Sequence, residues 1–185
     1  MIKLKTLLEG HKNDFGCVML YFKFPQMATL HKIISPDDIY TDSTDDSFGL
    51  EDKPHTTLLF GLHGTVTTEN VKAVVDKYEY GPCIAYNPSL FSSKKYDVLK
   101  FDVKGDNLAE SNADLKEFPF TSDFPDYRPH MTIAYLKPGT GEKYVKHMKT
   151  LKFELIPSYA VYSKINGDKD ILKIKVKPIE SPILK

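Results

Sequence analysis

The sequence predicts an α+β protein with two pseudo-symmetric lobes of antiparallel sheet, outer helices, and a cleft between the lobes. Two short segments follow one pattern of a base, Pro, His, any residue, Thr and an aliphatic residue: KPHTTL at residues 53–58 and RPHMTI at 128–133. Their histidines are 75 positions apart, in a chain that holds six histidines. In both halves the motif strand is followed by a turn, a helix and further strand, and this repeat indicates a shared cleft.

Length and composition limit the class of protein. A chain of 185 residues, 41% hydrophobic and 12% aromatic, predicts one soluble globular domain over residues 1–185. Its 25 basic and 25 acidic residues cancel, whereas binding of long nucleic acid depends on phosphate neutralisation by an excess of basic residues. We therefore expect a small nucleotide or short oligonucleotide as the ligand, and no long nucleic acid.

The cysteines and the N-terminal segment predict the compartment. Cys17 and Cys83 form no CxxC pair and lie in apolar strand-like runs, so we expect buried free thiols and a reducing cytoplasm. Residues 1–10 lack the apolar run of a signal peptide, and the apolar stretches are too short to span a bilayer. A cytoplasmic location and no membrane partner are therefore expected.

Alternation, helical spacing and turn residues predict the elements of the first half in order. A loose helix over 1–14 precedes a strand at 16–24, whose odd-numbered residues face away from the core. The remaining predictions are a helix at 27–34, an acidic loop at 37–53, the first motif strand at 55–62, a helix at 65–78 capped by Thr67 or Thr68, and strands at 84–90 and 96–103.

The second half is predicted in the same way. Asn166-Gly167 is among the strongest hairpin signals, because both residues tolerate a positive φ. The predicted elements are a helix at 107–118, a proline-rich loop at 119–129, the second motif strand at 130–136, a helix at 142–150, hairpin strands at 153–165 and 171–176, and a tail at 178–185.

The acidic loop has two interpretations. Residues 37–53 hold seven acidic side chains, and their spacing does not match a calcium-binding loop. The segment is either a solvated connection into the first motif or a mobile lid over the cleft.

Strand periodicity places the motif side chains. Residues two apart share a face, so His55 and Thr57 point one way and His130 and Thr132 do the same. The opposite faces are predicted to be Thr56, Leu58, Phe60 and Leu62 in the first strand, and Met131, Ile133 and Tyr135 in the second, with Ala134 on the cleft side.

These side chains suit phosphoryl transfer that uses neither a metal nor another cofactor. One histidine can take a proton from the attacking oxygen while the other gives one to the leaving oxygen, because imidazole titrates near neutral pH. The threonine hydroxyls can donate hydrogen bonds to the phosphate oxygens. A zinc hydrolase is an alternative, but the histidine spacings include no HExxH motif and no close His/Cys cluster.

The two motifs resemble those of the 2H phosphoesterase superfamily, and the resemblance extends over about residues 17–177. That superfamily includes 2′,5′ RNA ligase-like proteins, cyclic phosphodiesterases and 2′,5′-phosphodiesterases. The resemblance implies a bilobal fold and a hydrolase whose catalytic residues are His55, Thr57, His130 and Thr132.

Three further residues are candidates for substrate binding. Arg128 is the one arginine beside 24 lysines, stands two residues before His130, and could bind phosphate in a bidentate manner. Tyr21 and Tyr86 lie in predicted strands and could stack on a base, although packing within the sheet accounts for each equally well.

Three functions remain open from the sequence. The small size, neutral charge and lysine bias resemble a phage-encoded anti-CBASS nuclease, which degrades cyclic di- or trinucleotide signals of bacterial immunity in the host cytoplasm. The first alternative is a 2′,3′-cyclic or 2′-5′ phosphodiesterase acting on RNA ends or oligoadenylates. The second is a non-catalytic module that binds a nucleotide or RNA. The sequence does not assign the acid and the base.

Overall fold

The computed structural model describes residues 15–45, 47–122, 124 and 126–178. The helix expected over residues 1–14 and most of the expected tail (179–185) lie outside the described residues. The described elements, in chain order, are β1 (Gly16–Lys23), α1 (Met27–Ile33), a 3₁₀ turn (Pro36–Asp38), β2 (His55–Leu62), α2 (Thr68–Lys77), β3 (Glu79–Tyr80), β4 (Cys83–Ser92), β5 (Asp97–Lys104), α3 (Leu108–Leu115), β6 (His130–Leu136), α4 (Glu142–Met148), β7 (Phe153–Ser163), β8 (Lys169–Leu172) and β9 (Lys175–Val176).

The large sheet is antiparallel and has two matching halves. Its strand order is β2-β1-β7-β4-β5-β6, with β8 also paired to β7. The first half is β2-β1-β7 and the second is β6-β5-β4, and they join where the start of β7 pairs with β4. The predicted α+β class, with two antiparallel lobes and outer helices, is confirmed.

A helix from each half packs on the motif strand of the other half. Helix α1 follows β1 in the chain but packs on β6, while α3 follows β5 and packs on β2. Both motif strands are therefore supported from behind by a helix of the opposite half. The core between them contains fully buried side chains from each half, among them Leu58, Leu115, Met131 and Ile133.

Each half also covers the outer edge of the other motif strand. The segment that follows α1 bonds along β6, where the backbone N–H groups of Tyr40 and Glu51 donate to Tyr135 (2.9 Å) and Ile133 (3.0 Å). Both ends of the acidic loop are thus bonded to the sheet, and the choice between a solvated connection and a lid stays a prediction.

The segment that follows α3 covers β2 in the same manner. The Thr121 N–H donates to the Gly61 carbonyl at 2.9 Å. Gly61 has φ 106°, and a Cβ atom there would lie 1.9 Å from the Thr121 oxygen, so only glycine permits this approach. Neither motif strand therefore leaves an open edge along these segments.

Matching β-bulges interrupt both motif strands directly after the threonine. Thr57 pairs with Met19 and Leu59 with Val18, so Leu58 is left without a partner in the register. In β6, Thr132 pairs with Lys100 and Ala134 with Leu99, and Ile133 is the extra residue. A bulge adds one residue to one strand and so reverses the faces beyond it.

The bulges correct the predicted faces. Phe60 and Tyr135, expected on the core side, are half-buried and turn to the cleft. Ala134, expected on the cleft side, is fully buried. The predicted core side is correct for Leu58, Leu62 and Ile133, which are fully buried. The predicted face is wrong for the three residues above, because strict period-two counting has no place for an extra residue.

Other elements differ less from the predictions. Thr67 caps α2 in a capping box with Asn70. The hairpin forms around Asn166 and Gly167, but its second strand ends at Leu172, and β9 pairs in parallel with β3 instead. None of the described helices has the length and apolar character needed to cross a membrane.

Candidate active site

The cleft between the lobes contains a cavity of about 470 Å³. Both motif strands face it, and the four predicted catalytic side chains, His55, Thr57, His130 and Thr132, all line it. The fold thus brings together two segments that lie 75 positions apart in the sequence.

The two imidazole rings are held by the same contact. His55 Nδ1 lies 2.7 Å from the Lys53 carbonyl oxygen, and His130 Nδ1 lies 3.0 Å from the Arg128 carbonyl oxygen. A carbonyl oxygen only accepts, so each Nδ1 carries a hydrogen and donates it. In the neutral ring Nε2 then holds the free lone pair, which suits it to take or give the proton of a ligand.

The bulge of β2 is secured by side chains. Asn112 is 5% exposed, and its Nδ2 donates to the carbonyl of the extra residue Leu58 at 2.6 Å. The Tyr127 hydroxyl donates to the Thr57 carbonyl at 3.2 Å. The corresponding bulge carbonyl in β6, that of Ile133, accepts from the backbone of Glu51. These bonds satisfy groups that the bulge removes from the ladder, and so hold the two threonines in place.

A charged pair formed by a buried lysine and a half-buried aspartate lies beside His130. Lys100 is 7% exposed, and its Nζ lies 2.5 Å from Asp102 Oδ1. The same Nζ lies 4.7 Å from the centre of the Phe91 ring, which meets the His130 ring at 5.1 Å and 86°. Burial lowers the pKa of His130, as do the charges of Lys100 and His55, against the opposing effects of the Arg128 carbonyl and Asp102.

Neutral aromatic rings lie beside His55. Tyr21 pairs with His55 across the strands, and their ring centres are 5.1 Å apart. Tyr21 also stacks on Tyr159, with centres 5.0 Å apart and planes 6° apart. Burial, followed by the charge of Glu51, raises the pKa of Tyr21 to about 12, so its hydroxyl keeps its hydrogen. The ring braces His55 and is not among the residues that line the cavity.

The other two candidates for substrate binding differ in position. Arg128 lines the cavity at its rim, where its side chain is 83% exposed and lies 3.1 Å from Asp126 Oδ2. Tyr86 does not line the cavity, and Lys104 Nζ lies 5.3 Å from the centre of its ring. The predicted roles of both residues stay predictions.

Cys17 lies at the cavity, although the sequence indicated a buried thiol. It is half-buried and free, and burial raises its pKa to about 12, against a hydrogen bond from the Thr57 side chain. The thiol therefore stays protonated at neutral pH. Cys83 is buried and free, as predicted. Within the described part of the chain, no three His, Cys, Asp or Glu side chains are grouped to hold a metal ion.

Sequence analysis missed several residues of this site. Phe60 and Tyr135 were assigned to the core because a bulge has no mark in the strand pattern. Lys100 and Asp102 lie within the predicted strand at 96–103, but their position beside His130 depends on which strands pair. The other cavity-lining residues that were not predicted for the site are Met19, Leu58, Leu59, Phe91, Asn112, Lys116, Ser122, Phe124, Asp126 and Tyr127.

No protein-family model matches the chain, and no curated protein matches its sequence. Similar solved structures exist. Usb1 of Kluyveromyces marxianus is 8% identical, with a TM-score of 0.56 over 88% of this chain and 99% of that chain. The structure of the same protein with uridine monophosphate gives 0.55, at the same identity and coverage. E. coli LigT complexed with 3′-AMP is 14% identical, and the match covers 88% of this chain and 97% of that chain. Its TM-score of 0.41 supports no argument. At 8% identity the likeness to Usb1 establishes the fold alone.

Proposed function

We propose that this protein is a metal-independent phosphodiesterase of the 2H type, acting on a nucleotide or short oligonucleotide. The observation that carries the proposal is one cavity lined by both His-x-Thr pairs, with each imidazole held through Nδ1. Two such rings across one cavity supply a base and an acid to opposite sides of a single phosphorus atom. The proposal includes all four residues as catalytic groups.

The reaction balances with these four side chains. One histidine takes the proton of the attacking hydroxyl or water as its oxygen bonds to phosphorus. The other gives a proton to the leaving oxygen as the second phosphorus–oxygen bond breaks. Thr57 and Thr132 donate hydrogen bonds to the non-bridging oxygens, whose charge increases in the transition state.

The surroundings of the two rings favour a division of roles in which His130 is the base. Its lowered pKa leaves it neutral at neutral pH, and a neutral ring is what proton abstraction requires. Lys100 contributes to that shift from an almost fully buried position. In this assignment His55 is the acid that gives a proton to the leaving oxygen.

For the substrate, we propose cyclic di- or trinucleotides, cleaved by attack of a ribose 2′-hydroxyl on the adjacent linkage. The neutral net charge and a cavity size typical of small-molecule sites support a short ligand. Usb1, which shares the fold, has been solved with uridine monophosphate. Cleavage of such signals would correspond to phage evasion of CBASS-type immunity in the host cytoplasm.

A substrate panel in the presence of EDTA tests both levels of the proposal. The panel contains cyclic di- and trinucleotides, 2′-5′ and 3′-5′ linear oligonucleotides, and 2′,3′-cyclic mononucleotides, with products identified by chromatography and mass spectrometry. Linear products from the cyclic oligonucleotides support the full proposal. Cleavage restricted to 2′,3′-cyclic or 2′-5′ substrates retains the phosphodiesterase and replaces the signal-degrading role with processing of RNA ends or oligoadenylates.

Two further results would overturn the phosphodiesterase itself. Binding of panel members without any product would make the protein a nucleotide-binding module. Turnover that EDTA abolishes and zinc restores would make it a metallohydrolase. The variant with both His55→Ala and His130→Ala is the control for contaminating nucleases, because it should release no product.

A further inference from the structure

The repeat that places the histidines and threonines also places an aromatic ring in each lobe. Phe60 is the third residue after Thr57, and Tyr135 is the third residue after Thr132. Both rings are half-buried and line the cavity. The two bulges are the cause, because each reverses the strand face directly after its threonine. Each lobe therefore delivers a histidine, a threonine and an aromatic ring to the same cavity.

We infer that Phe60 and Tyr135 form two nucleobase-stacking subsites, one on each side of the scissile phosphate, and that the substrate unit is a dinucleotide. A phosphodiester between two nucleosides has one base on either side of phosphorus, which matches a pair of rings related by the repeat. The inference rests on the proposed function, which places that phosphate between the four motif side chains. It adds that bases on both sides are bound.

Contacts behind the two rings hold them in place. Phe60 meets Phe15 edge to face, with centres 6.3 Å apart and planes 69° apart. Tyr135 meets two rings edge to face, Phe48 at 5.2 Å and 89° and Tyr96 at 5.6 Å and 73°. Both rings line the cavity, where a planar base can approach them. Stacking on such rings tolerates any base, because every base has a π face.

The other aromatic side chains of the cavity lack this pairing. The Phe91 ring contacts Lys100 and His130, and the Tyr127 hydroxyl is bonded to the Thr57 carbonyl. Phe124 lies in the loop before β6 and is 39% exposed. Among the described residues that line the cavity, Phe60 and Tyr135 are thus the pair that the repeat relates.

The absence of tryptophan from the sequence permits a direct test. Phe60→Trp and Tyr135→Trp each introduce one fluorescent indole at one of the two subsites. Each variant is titrated with a 2′-deoxydinucleotide, which has no 2′-hydroxyl nucleophile, and with the matching mononucleotide. The dinucleotide should quench both reporters. The mononucleotide should quench one reporter, or should require a concentration about ten-fold or more higher for both, since one stacked base is lost.

Substitutions that remove the ring test the same point without a reporter. Phe60→Leu and Tyr135→Leu keep an apolar side chain, and each should raise the Kd of the dinucleotide by about ten-fold. Phe60→Tyr and Tyr135→Phe keep the ring and should retain the affinity. Tyr78→Leu is the matched control, because Tyr78 is half-buried outside the cavity and bonded to Asp114. Thermal unfolding verifies that each variant is folded.

The outcomes separate this inference from the proposed function. Quenching of both reporters by the dinucleotide supports the two subsites even if no substrate of the panel is cleaved. Equal affinity for dinucleotide and mononucleotide, or leucine variants that bind as the wild type does, overturns the subsites even if the panel shows turnover.

Discussion

Around His55 the neighbouring strand supplies Tyr21 and Met19, whereas the equivalent positions beside His130 carry Asp102 and Lys100. The backbones of the two lobes match down to the bulge after the threonine, and the rings of both histidines are held by the carbonyl two residues earlier. The repeat therefore places one histidine and one threonine from each lobe in equivalent positions. The neighbouring strands differ in charge, so the electrostatic surroundings of the two histidines differ. A reaction that needs one base and one acid requires such a difference.

The supports of the two bulges differ as well. Side chains from α3 and the loop before β6 bond the bulge of β2, whereas backbone groups of the acidic loop bond the bulge of β6. A single side-chain substitution can therefore loosen the first motif. The second motif depends instead on the backbone path of the acidic loop, which a single side-chain substitution need not change. The lobes are alike in geometry and unlike in sensitivity to mutation.

Loss of either histidine should have the largest effect. His55→Ala and His130→Ala should each lower kcat by about 10⁴-fold, because each removes a proton-transfer group. The pH profile of the residual activity, measured on the best substrate of the panel, should lose its acidic limb in His130→Ala and keep it in His55→Ala, because His130 is the base that must be neutral. Circular dichroism is the control for folding. The same limb lost in both variants would contradict the division of roles.

The threonines should show a smaller and nearly equal effect. Thr57→Ala and Thr132→Ala should each lower kcat by about 10²-fold, as expected for one lost donor to the transition-state oxygen. Thr57→Ser and Thr132→Ser keep the hydroxyl and should retain most activity. If alanine at one site costs nothing, only one lobe contacts the phosphate and the functional symmetry is broken.

The bulge of β2 should be the more fragile of the two. Asn112→Leu leaves the Leu58 carbonyl buried without its donor, and should lower the free energy of unfolding by about 1–3 kcal/mol. Glu51→Ala is the matched change for β6. It keeps the backbone bond to Ile133 and removes only an exposed bond from the Lys53 N–H, so it should lower the free energy of unfolding less than Asn112→Leu does. Urea denaturation measures both, and equal losses would mean that the two bulges are held alike.

The charges beside His130 should control the pH dependence. Lys100 lowers the pKa of His130 and Asp102 raises it, while His55 also lowers it. The base must be neutral, so Lys100→Met should raise the pKa and move the acidic limb to higher pH, and Asp102→Asn should move it to lower pH. Lys100→Arg keeps the charge and should leave the limb in place. Identical profiles in all three variants would show that Lys100 and Asp102 serve only packing.

The central residue of each motif should give the smallest effect. Thr56 is fully buried, and its hydroxyl has no hydrogen-bond partner in the described part of the chain, whereas the equivalent Met131 is apolar. Thr56→Val removes the unsatisfied hydroxyl and should raise the free energy of unfolding by about 1 kcal/mol. Thermal unfolding compares it with Met131→Leu, which should change stability little. A destabilised Thr56→Val protein would show that the hydroxyl is bonded after all.

Much of the fold could be predicted because its signals are local. The alternation in β1, the capping threonine of α2 and the Asn-Gly turn between β7 and β8 each depend on residues that are close together in the sequence. The faces of Phe60, Ala134 and Tyr135 could not be predicted. A bulge arises from the pairing of two strands, and the pairing of β2 with β1 is not marked within β2 itself.

By itself the sequence determined the motif strands, their order in two similar halves, and the shared face of each histidine with its threonine. These depend on strand geometry and on a pattern that occurs twice. Only the tertiary structure placed Lys100 and Asp102 beside His130 and Tyr21 beside His55, turned Phe60 and Tyr135 into the cleft, and gave each motif strand a helix from the opposite half. Such contacts join residues distant in sequence, and their energy depends on burial and on charges that only the folded chain brings together.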